Sequence, residues 1–264
     1  MASDGSAQNA YDQYASVYDA CNAENDYEMW LGEALLPELE AHGLHKGWAF
    51  DVGCGTGRAF EPLLARGWEV VGCDVSAGML AEAQRKFGSQ VSLFSADARS
   101  LPSPEGAGFP PGGGFDLILL LNDVVNYMTE DGDLERVFAG IRSNLRPPHG
   151  LVVFDANTLS LFQDEFSKGV VAEMPISSWE WRGLTEDPSA GQVFEASISG
   201  HGVEPRVHRQ RHWTAEQVRT ALAASGLVCL TGLGQREEGG RVVLSDSPDE
   251  AGDAKVIYIA APAG

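Results

Sequence analysis

Hydrophobic positions change period several times along the chain, and each change marks a new element. Tyr14, Tyr18, Met29, Leu35, Leu36 and Leu39 recur at helical intervals, so residues 11–43 read as one or two helices ending near Gly43. Trp48–Val52 is a short apolar run stopped by glycines, and Ala59–Arg66 resumes helical spacing, which predicts strand, tight turn and helix. The unit recurs as strand Val70–Asp74 and helix Ser76–Phe87, with Ser76 as N-cap. A third strand, Gln90–Phe94, runs into Ser95-Ala-Asp-Ala98.

Beyond the Gly- and Pro-rich stretch Pro102–Gly114, Phe115-Asp-Leu-Ile-Leu-Leu-Leu121 is almost continuously apolar, as a central parallel strand covered on both faces must be. Helix Leu134–Leu145 leads through Pro147, Pro148 and Gly150 to strand Leu151–Asp155. Residues 156–213 break the rhythm: Ser177–Arg182, Gln192–Ser199 and Arg206–Trp213 read as three strands of an inserted antiparallel lid. Helix Thr214–Ser225, strand Leu227–Leu233, an acidic flexible loop near 237–254 and strand Lys255–Ala261 complete the pattern. The expected fold class is α/β, a doubly wound, mostly parallel seven-stranded sheet of Rossmann-like type. Its divisions are 1–155 for the N-terminal helices and ligand-binding core, 156–213 for the lid, and 214–264 for completion of the core.

Composition narrows the partners. With 38 acidic and 18 basic side chains the net charge is −20, which repels polyphosphate and disfavours nucleic acid; it equally suits solubility or a cationic ligand. Four dispersed cysteines form no zinc-type cluster, so no metal is expected, and they read as reduced thiols of a cytoplasmic protein. No basic leader precedes an apolar run, and no stretch approaches the length of a membrane helix.

The candidate chemistry begins at Asp51-Val-Gly-Cys-Gly-Thr-Gly57. Gly53, Gly55 and Gly57 let the backbone turn sharply against a ligand. Neither the dinucleotide fingerprint nor the phosphate loop fits, because Arg58 stands at the sixth position of the first and no Lys follows the glycines. Asp74 follows Gly57 by 17 residues, at the carboxyl edge of a strand where its carboxylate can accept both hydroxyls of a ribose. Asp51 places negative charge near an ammonium, Asp97 can accept an adenine amino group, and the Ala98 N–H can donate to a ring nitrogen. Three acidic positions suit a cationic sulfonium ligand, S-adenosyl-L-methionine, better than a pyrophosphate.

Phe50–Gly57, Val71–Leu80 and Ala96-Asp-Ala98 resemble the class I S-adenosylmethionine-dependent methyltransferases, over about residues 11–156. The stretches Tyr11–Asp19, Asn122-Asp-Val-Val-Asn-Tyr127 and His208-x-Gln210-Arg211-x-Trp213 resemble the small-molecule branch that includes bacterial amino-sugar N-methyltransferases and, more distantly, glycine N-methyltransferase. The resemblance implies that Met79 packs on adenine, that Asn122 lies near the methionine moiety, that Tyr14 and Tyr18 close over the cofactor, and that the lid covers a small-molecule acceptor. Trp30, Val75 and Leu121 join the expected cofactor contacts, and S-adenosyl-L-homocysteine is the expected product. Tyr14 and Tyr18 have equally the spacing of a helical pair facing the core. The Asn/Asp-Pro-Pro-Tyr motif of adenine- and amide-methylating enzymes is absent after the central strand.

A neutral amine acceptor needs little beyond alignment, whereas a hydroxyl needs a base. Of the six histidines, His201, His208 and His212 fall in the lid. Arg206, His208, Gln210 and His212 share one face of their strand and Val207, Arg209, Arg211 and Trp213 the other. His208 is the candidate base, with Tyr127 and Arg211 beside it. The arginines suit either an anionic group on the acceptor or neighbouring carboxylates, and Trp179 and Trp181 either an aromatic acceptor or the core. The leading expectation is methyl transfer to oxygen or nitrogen of a small molecule in bacterial secondary metabolism. A cofactor-binding scaffold or regulator that transfers no methyl is the alternative, and a nicotinamide oxidoreductase is disfavoured by Arg58. The sequence is silent on oligomeric state.

Overall fold

Ile118 and Leu120 point into one apolar cluster while Leu117, Leu119 and Leu121 point into another, which is why this stretch lacks the polar alternation of a half-exposed strand. The computed structural model describes residues 6–23, 27–102, 110–173, 179–200, 203–239 and 241–264. The central strand, β4 (Leu117–Leu120), lies in a sheet with β1 (Trp48–Val52), β2 (Glu69–Asp74), β3 (Val91–Ser95), β5 (Leu151–Asn157), β10 (Leu227–Glu238), β11 (Arg241–Ser245) and β12 (Lys255–Pro262). The order is β11-β10-β12-β5-β4-β1-β2-β3. Strands β3, β2, β1, β4 and β5 are mutually parallel, and β12, β10 and β11 add antiparallel pairings. The chain steps outward from β1 to β3 and then returns to β4, so the switch point where open α/β sheets bind ligands falls between β1 and β4.

One face of the sheet carries α5 (Asp133–Asn144) and α7 (Ala215–Ala224) over Phe50, Phe138, Phe154 and Val218. The other carries a π-helical segment (Glu28–Leu35), α2 (Leu36–Ala41) and α3 (Phe60–Ala65) over Leu31, Leu39, Phe60 and Ile257. Helix α4 (Ala77–Phe87) begins at Ser76, whose hydroxyl accepts the Met79 N–H at 3.1 Å, as the sequence predicts. A capping box of Thr214 and Gln217 starts α7.

The doubly wound α/β class stands, with one strand more than expected. Arg241–Ser245 lies within the segment read as a flexible loop, but its Val242 and Leu244 pack on the core and its backbone pairs with β10. The rest of that segment is pinned: buried Asp253 accepts the Asp249 N–H at 2.7 Å, and the Thr158 hydroxyl donates to the Asp253 carbonyl at 2.7 Å. Charge there hides local order rather than disorder.

The interrupting region follows α6 (Leu159–Glu165) and forms its own antiparallel sheet, β6-β7-β8-β9, from Val171–Glu173, Trp179–Gly183, Val193–Gly200 and Val203–Arg211. Its inward face carries Trp179, Phe194, Ala196, Ile198, His208 and Gln210, and Val207 on the other face is exposed. Phe194 stacks on Phe162 of α6 at 4.4 Å, and Trp179 packs at 5.2 Å on Tyr14 of α1 (Ser6–Cys21). Helix α1 thus lies between the two sheets.

Candidate active site

The tight turn after β1 is held from below and open above. The Gly53 and Cys54 N–H groups donate to the Cys73 carbonyl, and the Gly55 N–H donates to Asp74 Oδ2 at 2.8 Å. The other Asp74 oxygen accepts the Ser76 N–H at 2.8 Å, so one carboxylate joins the turn to the start of α4. Gly55 has φ of 52°, and a Cβ there would meet nothing within 4 Å, leaving its backbone bare toward the cavity. Gly57, expected to face the ligand, does not: a Cβ there would lie 2.6 Å from Phe60 and 2.9 Å from Phe87, so this glycine serves packing under the turn.

The cavity is bordered by Asp51, Gly53, Gly55, Asp74, Val75, Met79, Asp97, Ala98, Leu121 and Asn122, gathered from the ends of four adjacent parallel strands. Asp51 is 3% exposed, and burial, reinforced by the Asp74 charge, pushes its carboxyl up to about 7. Burial also raises Asp74, partly offset by its backbone hydrogen bonds. Two raised carboxylates at a bare glycine turn fit a ligand that carries positive charge together with sugar hydroxyls, as S-adenosylmethionine does. Asp97 is already gripped by Arg99 at 2.6–3.2 Å, which outweighs its partial burial and lowers its pKa, so only its remaining lone pairs are open to a base.

Helix α1 closes the cavity. Tyr18 borders it and accepts the Asn122 amide at 3.0 Å; burial pushes its hydroxyl up to about 12. Tyr14 faces away, 4% exposed, against Trp179, so the core reading of this residue is the one observed and its expected cofactor contact is not. Its place is taken by Tyr11, one further turn back on the face of Tyr18. Asp19 accepts from the Thr56 hydroxyl at 2.5 Å and pairs with Lys86 at 2.7 Å, while Arg58 donates to the Asn22 carbonyl at 2.5 Å. The Trp30 side chain and His201 lie outside the described residues.

Beyond β4 the backbone bends through two left-handed residues, Asn122 (φ 65°) and Asp123 (φ 62°), a conformation that costs on the order of 1 kcal/mol each. The bend aims Asp123 at the second sheet, where the Gln210 amide donates to its carboxylate. Gln210 in turn accepts from Asn157 at 3.1 Å. Lys255, from β12, pairs with Asp155 at 2.8 Å and reaches Asn122 Oδ1 at 3.3 Å. Burial lowers the Lys255 pKa, but the Asp155 and Asp123 charges outweigh it and hold the ammonium above its ordinary value. Asp123 is pushed up by burial and drawn back by Lys255, to about 6.

Tyr127, in the short 3₁₀ turn Val124–Tyr127, borders the cavity; its hydroxyl lies 2.7 Å from that of Tyr11 and 2.8 Å from His208 Nδ1. His208 is 3% exposed, and burial holds its imidazole down at about 4, so it is neutral at pH 7. Arg211 is not part of this group: its guanidinium donates to the Thr129 carbonyl and Asp131 and lies 4.1 Å from the Trp213 ring centroid, on the strand face opposite His208. His212, buried, pairs with Glu250 at 3.2 Å.

Tyr27 and Arg58 also border the cavity, and sequence reasoning missed them along with Tyr11, Asp123 and Lys255. Tyr11 carried a signal, since residues seven apart share a helix face; Lys255 carried none, because its place depends on a strand pairing 100 residues away.

Residues 49–148 match the family description "Methyltransferase domain". YqeM of Bacillus subtilis (strain 168), described as a methyltransferase, is 27% identical over 226 residues, which span 82% of this chain and 85% of that protein. The crystal structure of an S-adenosylmethionine-dependent methyltransferase from Clostridium acetobutylicum ATCC 824 superimposes with a TM-score of 0.74 at 22% identity, over 96% of this chain and 99% of that one. CalS10 from Micromonospora echinaspora, an amino pentose methyltransferase, superimposes with a TM-score of 0.62 at 19% identity, over 93% and 96% of the two chains. These two likenesses show the shared fold. With the glycine turn and carboxylates at the switch point, residues 49–148 are a methyltransferase domain, set in the fold shared with these S-adenosylmethionine-dependent methyltransferases.

Proposed function

We propose that this enzyme methylates oxygen or nitrogen of a small-molecule acceptor held between the cofactor cavity and the antiparallel sheet, residues 156–213 acting as its acceptor lid. One observation carries the reading: Tyr11 and Tyr127, which border the cavity, hydrogen-bond to each other, and Tyr127 also bonds His208 from the second sheet. An acceptor seated there meets groups from α1, the turn after β4 and the lid at once. The reading includes a cytoplasmic setting, in keeping with four free cysteines, and a place in secondary metabolism, in keeping with the sugar-modifying CalS10.

When bound, S-adenosylmethionine supplies a methyl group made electrophilic by its sulfonium. The chain's own contribution is orientation and exclusion of water. With His208 neutral and Nδ1 unprotonated, Tyr127 donates to His208 and Tyr11 donates to Tyr127, which leaves the Tyr11 oxygen free to accept a hydrogen bond from the acceptor. A site of this kind aligns a nucleophile well and deprotonates it weakly, because burial disfavours the imidazolium. His208 therefore enters as the anchor of a hydrogen-bonded chain rather than as a strong base. Asp51 and Asp74 are assigned to the cofactor's ammonium and ribose, and Met79, Val75 and Ala98 to its adenine.

Calorimetric titration of the protein with S-adenosylmethionine, repeated with Asp74→Ala, tests the assignment. Binding that survives the substitution undiminished removes Asp74 from the site, and absence of S-adenosylhomocysteine formation with every acceptor offered removes the catalytic reading.

A further inference from the structure

Two tyrosines of α1 present opposite ends of a hydrogen bond to the cavity. Tyr11 donates to Tyr127 and keeps only its oxygen lone pairs for a ligand. Tyr18, seven residues on and about 10 Å further along the helix at 1.5 Å per residue, is set the other way. Its oxygen accepts the Asn122 amide N–H at 3.0 Å, and its own hydrogen meets no acceptor among the described residues. Burial holds the phenol up at about 12, so that hydrogen is in place at neutral pH.

The direction at Tyr18 is decided by Lys255, which does not border the cavity. A side-chain amide is reversible in principle: with its oxygen toward Tyr18, Asn122 would take the hydroxyl hydrogen for itself. Lys255 Nζ lies 3.3 Å from Asn122 Oδ1, and an ammonium has hydrogens and no lone pair, so only the carbonyl end of the amide can face it. The amide nitrogen is thereby turned to Tyr18, whose oxygen must accept. Lys255 is itself held by Asp155 at 2.8 Å, and the same buried carboxylate accepts the Asp123 N–H at 3.1 Å. One acid therefore fixes both the cation and the backbone immediately after Asn122. Asn122 stands at φ 65°, a left-handed conformation that Asn and Asp adopt more readily than most residues.

We propose that Lys255 is a positioning residue for the cofactor: by orienting the Asn122 amide it obliges Tyr18 to donate its hydroxyl hydrogen into the cavity, to the carboxylate of the cofactor's amino-acid end. This rests on the cofactor reading above and adds to it a residue outside the cavity lining. The surroundings suit a zwitterion. Tyr18, Asn122 and Arg58 all border the cavity, the Arg58 charge acts on the Tyr18 hydroxyl, and its guanidinium lies 5.1 Å from the Tyr27 ring centroid. Asp51, assigned to the ammonium, supplies the complementary sign. Were the Tyr18 hydrogen turned to Asn122 instead, the hydroxyl would show only lone pairs to an anion, a repulsive contact in a site of low dielectric. Lys255 thus sets the strength and selectivity of binding through Asn122 and Tyr18.

Calorimetric titration of the full-length protein compares S-adenosylhomocysteine with 5′-methylthioadenosine, which lacks the amino-acid end. Tyr18→Phe is expected to weaken the first about tenfold, the scale of a hydrogen bond to a charged group, and to leave the second unchanged. Asn122→Asp keeps the side-chain shape and the Lys255 contact but has no hydrogen to give, so Tyr18 must turn and donate to it. S-adenosylhomocysteine should then weaken about tenfold or more, and the same substitution made in the Tyr18→Phe background should cost about tenfold less. Direct repulsion between the new carboxylate and the ligand persists in that background, so the difference isolates the hydroxyl. Lys255→Met combined with Asp155→Asn keeps the local charge and frees the amide; S-adenosylhomocysteine should weaken about twofold or more as the competent orientation falls to half, with methylthioadenosine unchanged. An Asn122→Asp loss that is the same with and without the Tyr18 hydroxyl overturns the proposal, as does a doubly substituted protein that binds S-adenosylhomocysteine like wild type. A loss shared equally by the two ligands overturns it too. If the doubly substituted protein fails to fold, the Asn122→Asp comparison decides, because it removes the orientation that Lys255 imposes. Wild-type protein that binds neither ligand overturns the cofactor reading instead.

Discussion

Asp12 and Ser76 lock the covering helix to the cofactor cavity: Asp12 Oδ1 accepts the Ser76 hydroxyl at 2.6 Å and the Gly78 N–H at 3.0 Å. Ser76 also donates its N–H to Asp74, so α1 is tied through this one serine to the carboxylate assigned to the ribose. A Cβ on Gly78 would stand 2.8 Å from the Asp12 carbonyl oxygen, which makes glycine there a condition for the close approach.

From this latch we expect Asp12→Ala and Gly78→Ala to speed S-adenosylhomocysteine release about tenfold, equivalent to one or two lost hydrogen bonds, while Tm changes little. Stopped-flow displacement measures the rate. A release rate equal to wild type in both variants would mean that α1 does not gate the cavity.

Asp51 makes cofactor binding depend on pH. Its carboxyl is raised from 3.8 to about 7 in the folded chain. It therefore contributes stability that is fully present below 3.8 and lost as pH rises through 7. A cationic ligand must expel that proton, so affinity should climb between pH 5 and 7, by up to about tenfold per unit, with proton release on binding. Calorimetry in buffers of different ionisation enthalpy counts the proton, and Asp51→Asn should abolish the release.

His208 acts in the opposite direction. Its pKa falls from 6.5 unfolded to about 4 folded, so its contribution is complete above 6.5 and is lost as pH falls toward 4, a span worth about 3 kcal/mol. Urea unfolding at pH 7 and at pH 4.5 should show a smaller acid loss in His208→Asn than in the wild type. Equal losses would indicate an imidazole open to protonation in the fold.

Removing the Lys255 ammonium strands Asp155, which is 1% exposed. Lys255→Met should cost about 3–5 kcal/mol of folding stability, and adding Asp155→Asn should restore much of it. A single substitution that costs under about 1 kcal/mol would show that water reaches the pair.

The cofactor side was legible because its signals are local. Three glycines, Asp51 and Asp74 lie within one strand–turn–helix–strand unit, where backbone freedom and the end of a strand dictate both conformation and exposure. The same logic located His208 on the buried face of β9, since alternation on a strand is local too. It failed where the answer depends on what lies opposite. Tyr14 and Tyr11 look alike on a helical wheel, and only Trp179 of the second sheet claims the former. Arg211 was drawn toward the acceptor by charge, yet Asp131 and Trp213 hold it elsewhere. The eighth strand hid behind acidic neighbours that its own Val242 and Leu244 outweigh.

The long reach of Lys255 bears on the order in which the molecule can assemble. The Gly55–Asp74 bond closes a loop of 19 residues, whereas Tyr18–Asn122 and Lys255–Asp155 close loops of 104 and 100. Loop-closure entropy rises with length and long-range contacts form slowly, so the glycine turn can organise early while the charges facing the acceptor meet only when the sheet is nearly complete. A partly folded chain would then grip the adenosine half of its ligand before it could recognise anything to methylate.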